Sequence, residues 1–334
     1  MSTIAYFIHG RGRGHATRSL PVIERLQSAG YRVAIFAGGD AMSVLDTSGA
    51  VPIESVRPGP FALYHTLRKI PEHRERIRKA GAELLVTDGD SPSLFAAHSL
   101  GLPSIAVGHG LLFRYARVEG LAFWDQRIES VNAASSSLQA SAKVAVHFLA
   151  CEPQDACTRI ARADMSDLPK AVFQRRPASR VRVICYFRDG NGESILRALL
   201  AAGAEVTNFA AGTEPVQGVR QEVPSRARFL EALSDADAVA CSSGCNLLSE
   251  AIALRKPILA AFRSGDREQR MNAQMVQGAN LGIASEVSVI TPALTSSFCQ
   301  RVQHGDFAEF ALLDRLAPVS QHVLAAAQEL LPRA

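Results

Sequence analysis

Short apolar segments alternate with longer segments of helical period along most of this chain. Ile4–Ile8 has the length and composition of a buried strand, and the segment Thr17–Ala29 places Leu20, Ile23 and Leu26 on one face of a helix. Other predicted strands are Val33–Ala37, Leu84–Thr87, Ser104–Val107, Lys143–Phe148, Val181–Phe187, Glu205–Phe209, Ala238–Cys241 and Pro257–Ala261. Other predicted helices are Ser93–Leu100, Ser194–Ala202, Ser225–Leu233, Asn246–Leu254, Arg267–Gly278 and Ala317–Leu331. Apolar strands joined through helices indicate parallel sheets covered by helices on both faces.

The alternation is interrupted at Asp167–Arg180, which contains two prolines, several basic residues and no clear period. A chain of 334 residues also exceeds the usual size of a single hydrophobic core. The predicted organisation is an N-terminal domain over 1–166, a linker over 167–180, a C-terminal domain over 181–316, and a helix over 317–334 that packs back on the N-terminal domain. We expect an α/β fold with two doubly wound, Rossmann-like domains facing a central cleft, where ligands bind beyond the carboxyl ends of the strands.

Composition and charge argue against several kinds of protein. A net charge of +4 with 6% aromatic residues is a poor basis for binding nucleic acid, so no nucleic-acid partner is expected. The six cysteines include no Cys-x-x-Cys pair, which favours reduced thiols and predicts no metal site. The N-terminus leads directly into a strand, and no apolar run approaches the ~18 residues of a membrane span. These features predict a cytoplasmic protein without a cofactor.

A loop of small residues between a strand and a helix is the first candidate binding site. Ser242, Ser243 and Gly244 follow the strand ending at Cys241, and the free N–H groups of the next helix suit a diphosphate. Glu250 lies about two turns into that helix, where its carboxylate could accept ribose hydroxyls. The alternative is that a serine only caps the helix and that Glu250 is a solvated surface residue.

A second polar group follows the next strand and should emerge at the same sheet edge. Glu268 and Gln269 fall in the first turn of a helix and could bind sugar hydroxyls, with Asn272 one turn later. The alternative is local, because Asp266-x-x-Gln269 fits a capping box that needs no ligand.

The first strand is followed by a glycine-rich turn containing a histidine. Its glycines do not have the spacing of a dinucleotide-binding fingerprint. His15 suits a general base, because an imidazole can be neutral at working pH and accept a proton. The alternative is a structural histidine capping the following helix. Gly12, Arg13 and Gly14 are expected at the cleft, near the phosphates of a ligand.

Two further candidates end strands of the same predicted sheet. Asp88 is expected to orient His15 or to serve as a base itself, whereas Asp90 is expected to cap the helix containing Pro92. His109 follows the strand Ser104–Val107, so it is a candidate for the acceptor side, against the alternative of a structural histidine.

The order of these motifs resembles the GT-B glycosyltransferase superfamily. The serine–glycine loop, the helix glutamate and Glu-Gln-x-x-Asn-Ala are similar, over roughly Val223 to Gly282, to the donor region of UDP-glycosyltransferases and of the lipid-linked N-acetylglucosaminyltransferase of peptidoglycan synthesis. Gly-x-Gly-His-x-x-Arg resembles a branch that includes the nucleotide-sugar hydrolase of nonulosonate synthesis. Two departures are Arg18, where better-known transferases have proline, and Asn246-Leu247, where the family loop often has threonine. Asp88 and Asp90 also form an Asp-x-Asp pattern, which is the metal-binding signature of glycosyltransferases with the GT-A fold. The GT-A interpretation conflicts with the donor motifs of the second half, so it is set aside.

The resemblance implies that Ser242, Ser243 and Gly244 hold a diphosphate, that Glu250 binds the ribose, that Glu268 and Gln269 contact the sugar, and that Asn272 supports their helix. It implies an inverting, metal-independent transferase of hexosyl or N-acetylhexosaminyl type. The donor would be a nucleotide-sugar, with UDP-sugar favoured, and the acceptor a small molecule or a lipid-linked molecule. The alternatives are a hydrolase of the same fold and a nucleotide-sugar-binding protein without catalysis.

A lipid-linked acceptor would place the protein at the inner face of the membrane. Two segments combine the required residue types, Leu111–Arg117 and the basic stretch Arg68–Lys79. For the second, a solvated helix face is the alternative, because Glu72 and Glu75 are interspersed among the basic residues.

Overall fold

The computed structural model describes residues 1–11, 14–45, 49–56, 59, 61–165, 167–169, 179–187, 192–209, 214–223, 225–307 and 310–331. Gly12 and Arg13 of the glycine-rich turn lie outside the described residues, as does most of the predicted linker over 167–180. No helix in the described part of the chain is long and apolar enough to cross a membrane.

The first 165 residues contain nine strands and six helices among the positions described. The strands are β1 (Thr3–Ile8), β2 (Arg32–Gly38), β3 (Val51–Ile53), β4 (Leu84–Asp88), β5 (Ser104–Gly108), β6 (Ala116–Arg117), β7 (Ala142–Val146), β8 (Glu152–Pro153) and β9 (Thr158–Ala161). The helices are α1 (Gly14–Ser28), α2 (Met42–Leu45), α3 (Ala62–Ala80), α4 (Ser91–Ser99), α5 (Leu112–Tyr115) and α6 (Phe123–Ala134).

The remaining described residues form a second series of strands and helices. The strands are β10 (Arg182–Tyr186), β11 (Glu205–Asn208), β12 (Arg220–Gln221), β13 (Ala238–Ser242), β14 (Ile258–Phe262) and β15 (Gly282–Glu286). The helices are α7 (Glu193–Ala201), α8 (Arg226–Asp235), α9 (Cys245–Ala253), α10 (Arg267–Gly278), α11 (Pro292–His304) and α12 (Val319–Leu330).

The chain divides into two compact units, each built around its own sheet. The first unit comprises Met1–Val118, Gln126–Asp164 and Leu316–Ala334, and the second comprises Glu119–Asp125 and Met165–Arg315. The C-terminal helix α12 belongs to the first unit, where it packs against α1. Arg159 on β9 donates to both carboxylate oxygens of Glu329 on α12, at 2.6 Å each.

The first unit has a parallel sheet of seven described strands in the order β3-β2-β1-β4-β5-β7-β9. Every residue of β1 and of β4 is buried, which is the pattern of strands covered on both faces. On one face Phe7 stacks on Phe36, with ring centroids 4.5 Å apart. The chain runs from β1 outward to β3 and then returns to β4, so β1 and β4 flank a topological switch point.

The second unit repeats this topology with different residues. Its six described strands form a parallel sheet in the order β12-β11-β10-β13-β14-β15. The switch point lies between β10 and β13. Cys185 of β10 and Ala240 of β13 are neighbours in this sheet, and both are fully buried. The predicted α/β fold with two doubly wound, Rossmann-like sheets is confirmed.

Strand prediction fails at the edges of both sheets. The edge strands β3, β9, β12 and β15 are absent from the prediction, whereas the interior strands of both sheets are present. Edge strands such as Val51–Ile53 and Arg220–Gln221 are short and mostly exposed. They need no continuous apolar run, so hydrophobic periodicity does not reveal them.

Helix α1 also begins earlier than predicted, at Gly14 instead of Thr17. His15 therefore lies in the first turn of the helix and not in the loop before it. Arg18 follows three residues later on the same helical face.

Candidate active site

The switch point of the first unit brings together the residues predicted to be catalytic. Strands β1 and β4 pair in parallel with Ile8 beside Asp88, so Asp88 ends its strand where the chain leaves β1 for the glycine-rich turn. Helix α1 then begins beside this edge, and His15 in its first turn contacts Asp88. The prediction that these two residues lie together at the carboxyl edge of one sheet holds in the structure.

Asp88 is fully buried and accepts hydrogen bonds from three side chains of α1. The Nδ1 atom of His15 lies 2.7 Å from Oδ1, and Arg18 Nε donates to Oδ2 at 2.8 Å. Arg18 Nη2 donates to Oδ1, and the Ser19 hydroxyl donates to Oδ2 at 3.2 Å. An ionised carboxylate can only accept hydrogen bonds, so the shared proton is on His15 Nδ1. In the neutral imidazole, a proton on Nδ1 leaves the lone pair on Nε2, which is the arrangement that a general base requires.

The charge state of Asp88 depends on its neighbours. Burial alone would raise its pKa, but the charge of the Arg18 guanidinium and the hydrogen bonds from His15 and Arg18 hold the pKa well below its usual range. The carboxylate therefore stays ionised across the physiological range of pH and can orient the imidazole throughout.

Two residues that contact His15, Gly89 and His9, are not among the site residues predicted from the sequence. Gly89 has a φ of +77°, a left-handed conformation that favours glycine, and a Cβ atom there would lie 3.0 Å from His15 Cε1. The ring of His9 lies 5.6 Å from that of His15, centroid to centroid. His9 Nδ1 accepts from the Arg11 N–H at 3.0 Å, so its Nε2–H donates to the Val56 carbonyl at 3.0 Å. Burial lowers the pKa of His9, which keeps it neutral.

The remaining candidates of the first unit have structural contacts. Asp90 caps α4 by accepting from the Ser93 N–H at 3.0 Å, as predicted. His109 is buried at the end of β5, where its Nδ1 lies 3.0 Å from the Val146 carbonyl oxygen. Its ring stacks on that of His147 at a centroid distance of 5.1 Å. These contacts give His109 a packing role, and its predicted acceptor-side role stays a prediction.

In the second unit, the serine–glycine loop lies at the carboxyl end of β13. Ser242 ends the strand, and Gly244 is the residue before the first turn of α9. Ser243 is buried, and both its hydroxyl and its N–H donate to the Ala261 carbonyl, at 3.0 and 3.1 Å. The Ser243 hydroxyl, which was predicted to contact a phosphate, therefore donates to a backbone carbonyl of the protein itself. A Cβ atom on Gly244 would meet nothing within 4 Å, so space is open above the helix terminus.

Asn272 holds this loop from the neighbouring helix. It is fully buried, and its side-chain N–H donates to the Ser243 carbonyl at 2.9 Å. The predicted role of Asn272 in supporting the helix of Glu268 and Gln269 stays a prediction. The structure adds that its amide holds the loop, because a buried amide with a carbonyl partner resists displacement.

Glu250 is not the solvated surface residue of the alternative interpretation. Its side chain is only 10% exposed, and Arg226 Nη1 donates to its Oε1 at 2.5 Å. Arg226 Nε also donates to Asp167 Oδ2 at 3.0 Å, so the guanidinium links two carboxylates. Burial raises the pKa of Glu250, and the charge and hydrogen bond of Arg226 offset part of that rise.

Helix α10 presents the other two candidates of this unit. Asp266 Oδ1 accepts from the Gln269 N–H at 3.0 Å, so the capping interaction is real. The side chain of Gln269 nevertheless remains available, since Gln269 and Ser242 line a shallow pocket together with Arg263, Phe187 and Val287. Glu268 is exposed one residue earlier. The pocket lies at the carboxyl edge of the sheet, where ligands of doubly wound folds bind.

The two segments considered for membrane contact have different environments. The apolar side chains of Leu111, Leu112 and Phe113 are buried, so the segment Leu111–Arg117 offers no apolar surface for lipid. In the basic stretch on α3, Arg76 pairs with Glu72 and Lys79 with Glu75, as the solvated-face alternative predicts.

Comparison with solved structures defines the fold. The chain is similar to Acinetobacter baumannii MurG, with a TM-score of 0.70 and 16% identity over 98% of this chain and 100% of that one. It is similar to the glycotransferase of kitacinnamycin, with a TM-score of 0.72 and 17% identity over 99% of each chain. It is also similar to the glycosyltransferase VinC, solved in complex with DTDP, with a TM-score of 0.62 and 15% identity over 98% of this chain and 99% of that one. The fold is therefore the GT-B fold of glycosyltransferases.

Comparison with protein families is more specific. The model of glycosyl transferase family 1 matches residues 61–303, well over half of the chain. The chain belongs to glycosyl transferase family 1, and the predicted resemblance to GT-B glycosyltransferases is confirmed. No curated protein matches its sequence significantly.

The contacts of Asp88 lead to a prediction about stability and pH. Asp88→Asn should cost about 3 kcal/mol of unfolding free energy at pH 7, because it leaves the Arg18 charge buried without its partner. A depressed carboxyl pKa contributes stability above the unfolded value of about 4, and that stability is lost as pH falls through the folded pKa. The difference between wild type and variant should therefore shrink below pH 4. Urea denaturation at pH 7 and pH 3 measures both quantities.

Asp306→Asn, at an exposed carboxylate, is the control and should change stability little at either pH. A stability difference between wild type and Asp88→Asn that is the same at pH 3 and pH 7 would contradict the assignment of an ionised Asp88.

Proposed function

We propose that the chain is an inverting, metal-independent glycosyltransferase that moves a sugar from a nucleoside-diphosphate-sugar to an acceptor hydroxyl. The observation that carries the proposal is the hydrogen bond between His15 Nδ1 and the buried Asp88, at 2.7 Å. It assigns the proton to Nδ1 and leaves Nε2 as a base whose side chain is 29% exposed to a ligand.

In the proposed reaction the acceptor oxygen attacks the anomeric carbon while its proton passes to His15 Nε2. The bond from the anomeric carbon to the diphosphate oxygen breaks, and its electron pair leaves with the nucleoside diphosphate. Attack opposite the leaving group inverts the anomeric centre. Asp88 stabilises the imidazolium that forms, and the imidazolium then returns its proton to solvent.

The donor is assigned to the second unit. The N-terminus of α9 carries the partial positive charge of the helix dipole beside the open space at Gly244, which suits a diphosphate. Ser242 and Gln269 line the pocket next to this terminus, where the transferred hexosyl or N-acetylhexosaminyl group would bind. Glu268 would reach the same sugar from the exposed side of the helix.

Glu250 supports a ribonucleotide donor. A carboxylate held by Arg226 can accept hydrogen bonds from both hydroxyls of a ribose, whereas a deoxyribose offers only one of them. We therefore favour a UDP-sugar, although the structural relative VinC was solved with DTDP.

A thermal-shift panel of UDP-, dTDP- and GDP-sugars distinguishes these donors, because a ligand that binds the native state raises its stability.

The role of Glu250 gives a prediction about donor binding. Glu250→Ala should weaken binding of UDP or its sugars by at least ~10-fold, because a charged hydrogen bond to the ribose is lost. Titration calorimetry measures the change, and Glu250→Gln provides a variant of the same shape. Glu231→Ala, at an exposed glutamate of α8, is the control and should bind donor as the wild type does. Unchanged affinity in both Glu250 variants would remove the ribose assignment.

The role of His15 gives a prediction about turnover. His15→Ala should reduce kcat by ~10² or more while leaving the donor dissociation constant nearly unchanged, because a general base contributes only to the chemical step. His98→Ala, at an exposed histidine of α4, should retain full activity. Sugar release without acceptor at the full turnover rate would instead identify a hydrolase. Tight donor binding without turnover, unaffected by His15→Ala, would identify a binding protein.

For the acceptor, an apolar surface on α3 favours a lipid-linked molecule. Phe61, Leu63, Tyr64 and Leu67 are each more than half exposed at the start of this helix, and Arg68 follows them. Exposed apolar side chains next to a cation are typical of peripheral contact with anionic lipid, here at the inner face of the membrane.

Membrane contact predicts a measurable binding to vesicles. The wild type should co-sediment with vesicles containing phosphatidylglycerol, and Leu63→Ser combined with Leu67→Ser should reduce the bound fraction several-fold by removing apolar area from the interface. Val289→Ser, at an exposed valine of the second unit, should bind like the wild type. Equal sedimentation with and without vesicles for the wild type would exclude this surface.

A further inference from the structure

Arg18 is a buried cation at the proposed base that the general scheme leaves without a role. It lies three residues after His15 on α1, and its side chain is 5% exposed. Residues spaced by three share one face of a helix, so both side chains reach the end of β4 together. In the sequence Arg18 occupies a position where better-known transferases have proline.

The guanidinium binds Asp88 as a fork. Its Nε donates to Oδ2 at 2.8 Å and its Nη2 donates to Oδ1. Nη2 also lies 3.1 Å from His15 Nδ1, so one nitrogen of Arg18 is close to both partners of the His15–Asp88 hydrogen bond. Two parallel hydrogen bonds fix the plane of the carboxylate, which in turn fixes the direction of the bond to His15.

Other titratable groups around this cluster come from several elements. His9 follows β1 and faces the ring of His15, and burial keeps it neutral. Tyr6 on β1 is fully buried; burial and the charge of Asp88 raise its pKa, so it stays a neutral phenol. Asp90 acts electrostatically on His9, and Asp164 acts on Tyr6. Within this set, Arg18 is the cation in direct contact with Asp88.

Removing that cation would change the protonation of the base. A buried carboxylate left with His15 as its partner would be balanced best by an imidazolium, because an opposite charge at hydrogen-bond distance favours the charged form by ~1–3 pH units. A histidine held as imidazolium has no lone pair on Nε2 and cannot accept the acceptor proton. With Arg18 present, the charge of Asp88 is already balanced, and His15 can be neutral while still donating its Nδ1–H.

We propose that Arg18 is a positioning residue of the reaction, which orients Asp88 and balances its charge so that His15 is an unprotonated base at neutral pH. The proposal rests on the proposed function, since it concerns the same His15, and it adds a requirement for a cation behind the carboxylate. It also explains why arginine at this position is compatible with a histidine base.

The test is a titration that does not depend on turnover. The imidazole resonances of histidine-labelled protein are followed by NMR from pH 4 to pH 9, and the resonance of His15 is assigned from its absence in His15→Ala. In Arg18→Met, the midpoint for His15 should rise by at least ~1 pH unit relative to the wild type. The acid limb of the kcat/KM profile, measured with the donor that the thermal-shift panel selects, should move by the same amount. At pH above the new limb much of the activity should return.

Two further variants separate charge from structure. Arg18→Lys keeps the cation but loses the fork, so the midpoint should stay near that of the wild type while kcat falls. Arg18→Met combined with Asp88→Asn removes both charges, so the midpoint should return toward the wild-type value. Where Arg18→Met alone is too unstable to study, Arg18→Lys still tests the proposal, because a rise of its His15 midpoint by ~1 pH unit would contradict the role of the cation.

A matched control is available in the second unit. Arg182 forms a similar fork with Asp237, with Nε and Nη2 at 3.1 and 2.8 Å from the two carboxylate oxygens. Arg182→Met should leave the His15 midpoint unchanged. The proposal is overturned if Arg18→Met loses stability or activity without any shift of the midpoint. That outcome leaves the proposed transferase intact. Full turnover by His15→Ala would instead remove His15 as the general base, and with it the catalytic role of Arg18, whereas the midpoint shift would still report the electrostatic effect of Arg18 on the imidazole.

Discussion

The buried charge of Asp88 is the constraint on which the first unit's site depends. An ionised carboxylate without exposure is costly unless several donors surround it, and among the described residues its side-chain donors belong to α1. The hydrogen bonds that tie α1 to the end of β4 therefore also orient the ring of His15. Gly89 completes the arrangement, because only a residue without Cβ leaves room for the ring in that left-handed turn.

In the second unit, neutral groups hold the loop of the candidate site. Its loop at Ser243 is held by the Ala261 carbonyl and by the buried amide of Asn272, which leaves the helix terminus beyond Gly244 open. A diphosphate needs free N–H groups and space, and it brings its own charge. The charged pair at this candidate site is Glu250 with Arg226, where a carboxylate can meet hydroxyls. In the proposed reaction, the site that moves a proton depends on a buried charge, and the site that holds an anion depends on neutral groups around a helix terminus.

Both designs occupy the same place in their sheets. In each unit the chain runs from the first strand through two further strands toward one edge of the sheet, and it then returns to the other side of the first strand. The carboxyl ends of β1 and β4 in one unit, and of β10 and β13 in the other, therefore flank a crevice within their own sheet. Membership of glycosyl transferase family 1 agrees with this arrangement, because the matched region spans residues of both units.

The sequence by itself determined the interior strands, the helices that flank them and the identity of most candidate residues. Strands such as β1 and β13 are buried on both faces, so their apolar runs are dictated by the environment and are visible in the pattern. The caps at Asp90 and Asp266 were also predictable, because they depend on residues three positions apart in the chain.

Only the tertiary structure decided which of those residues act together. The partners of Asp88 lie about seventy positions away in the chain, and Arg226 lies 24 positions from Glu250, so no local pattern joins them. The structure makes Glu250 a partnered carboxylate and not the solvated surface residue of the alternative interpretation, and it pairs the Ser243 hydroxyl with the Ala261 carbonyl. The edge strands are absent from the prediction for the same reason. They form by pairing with a neighbouring strand in space, whereas hydrophobic periodicity reports only on residues close together in the chain.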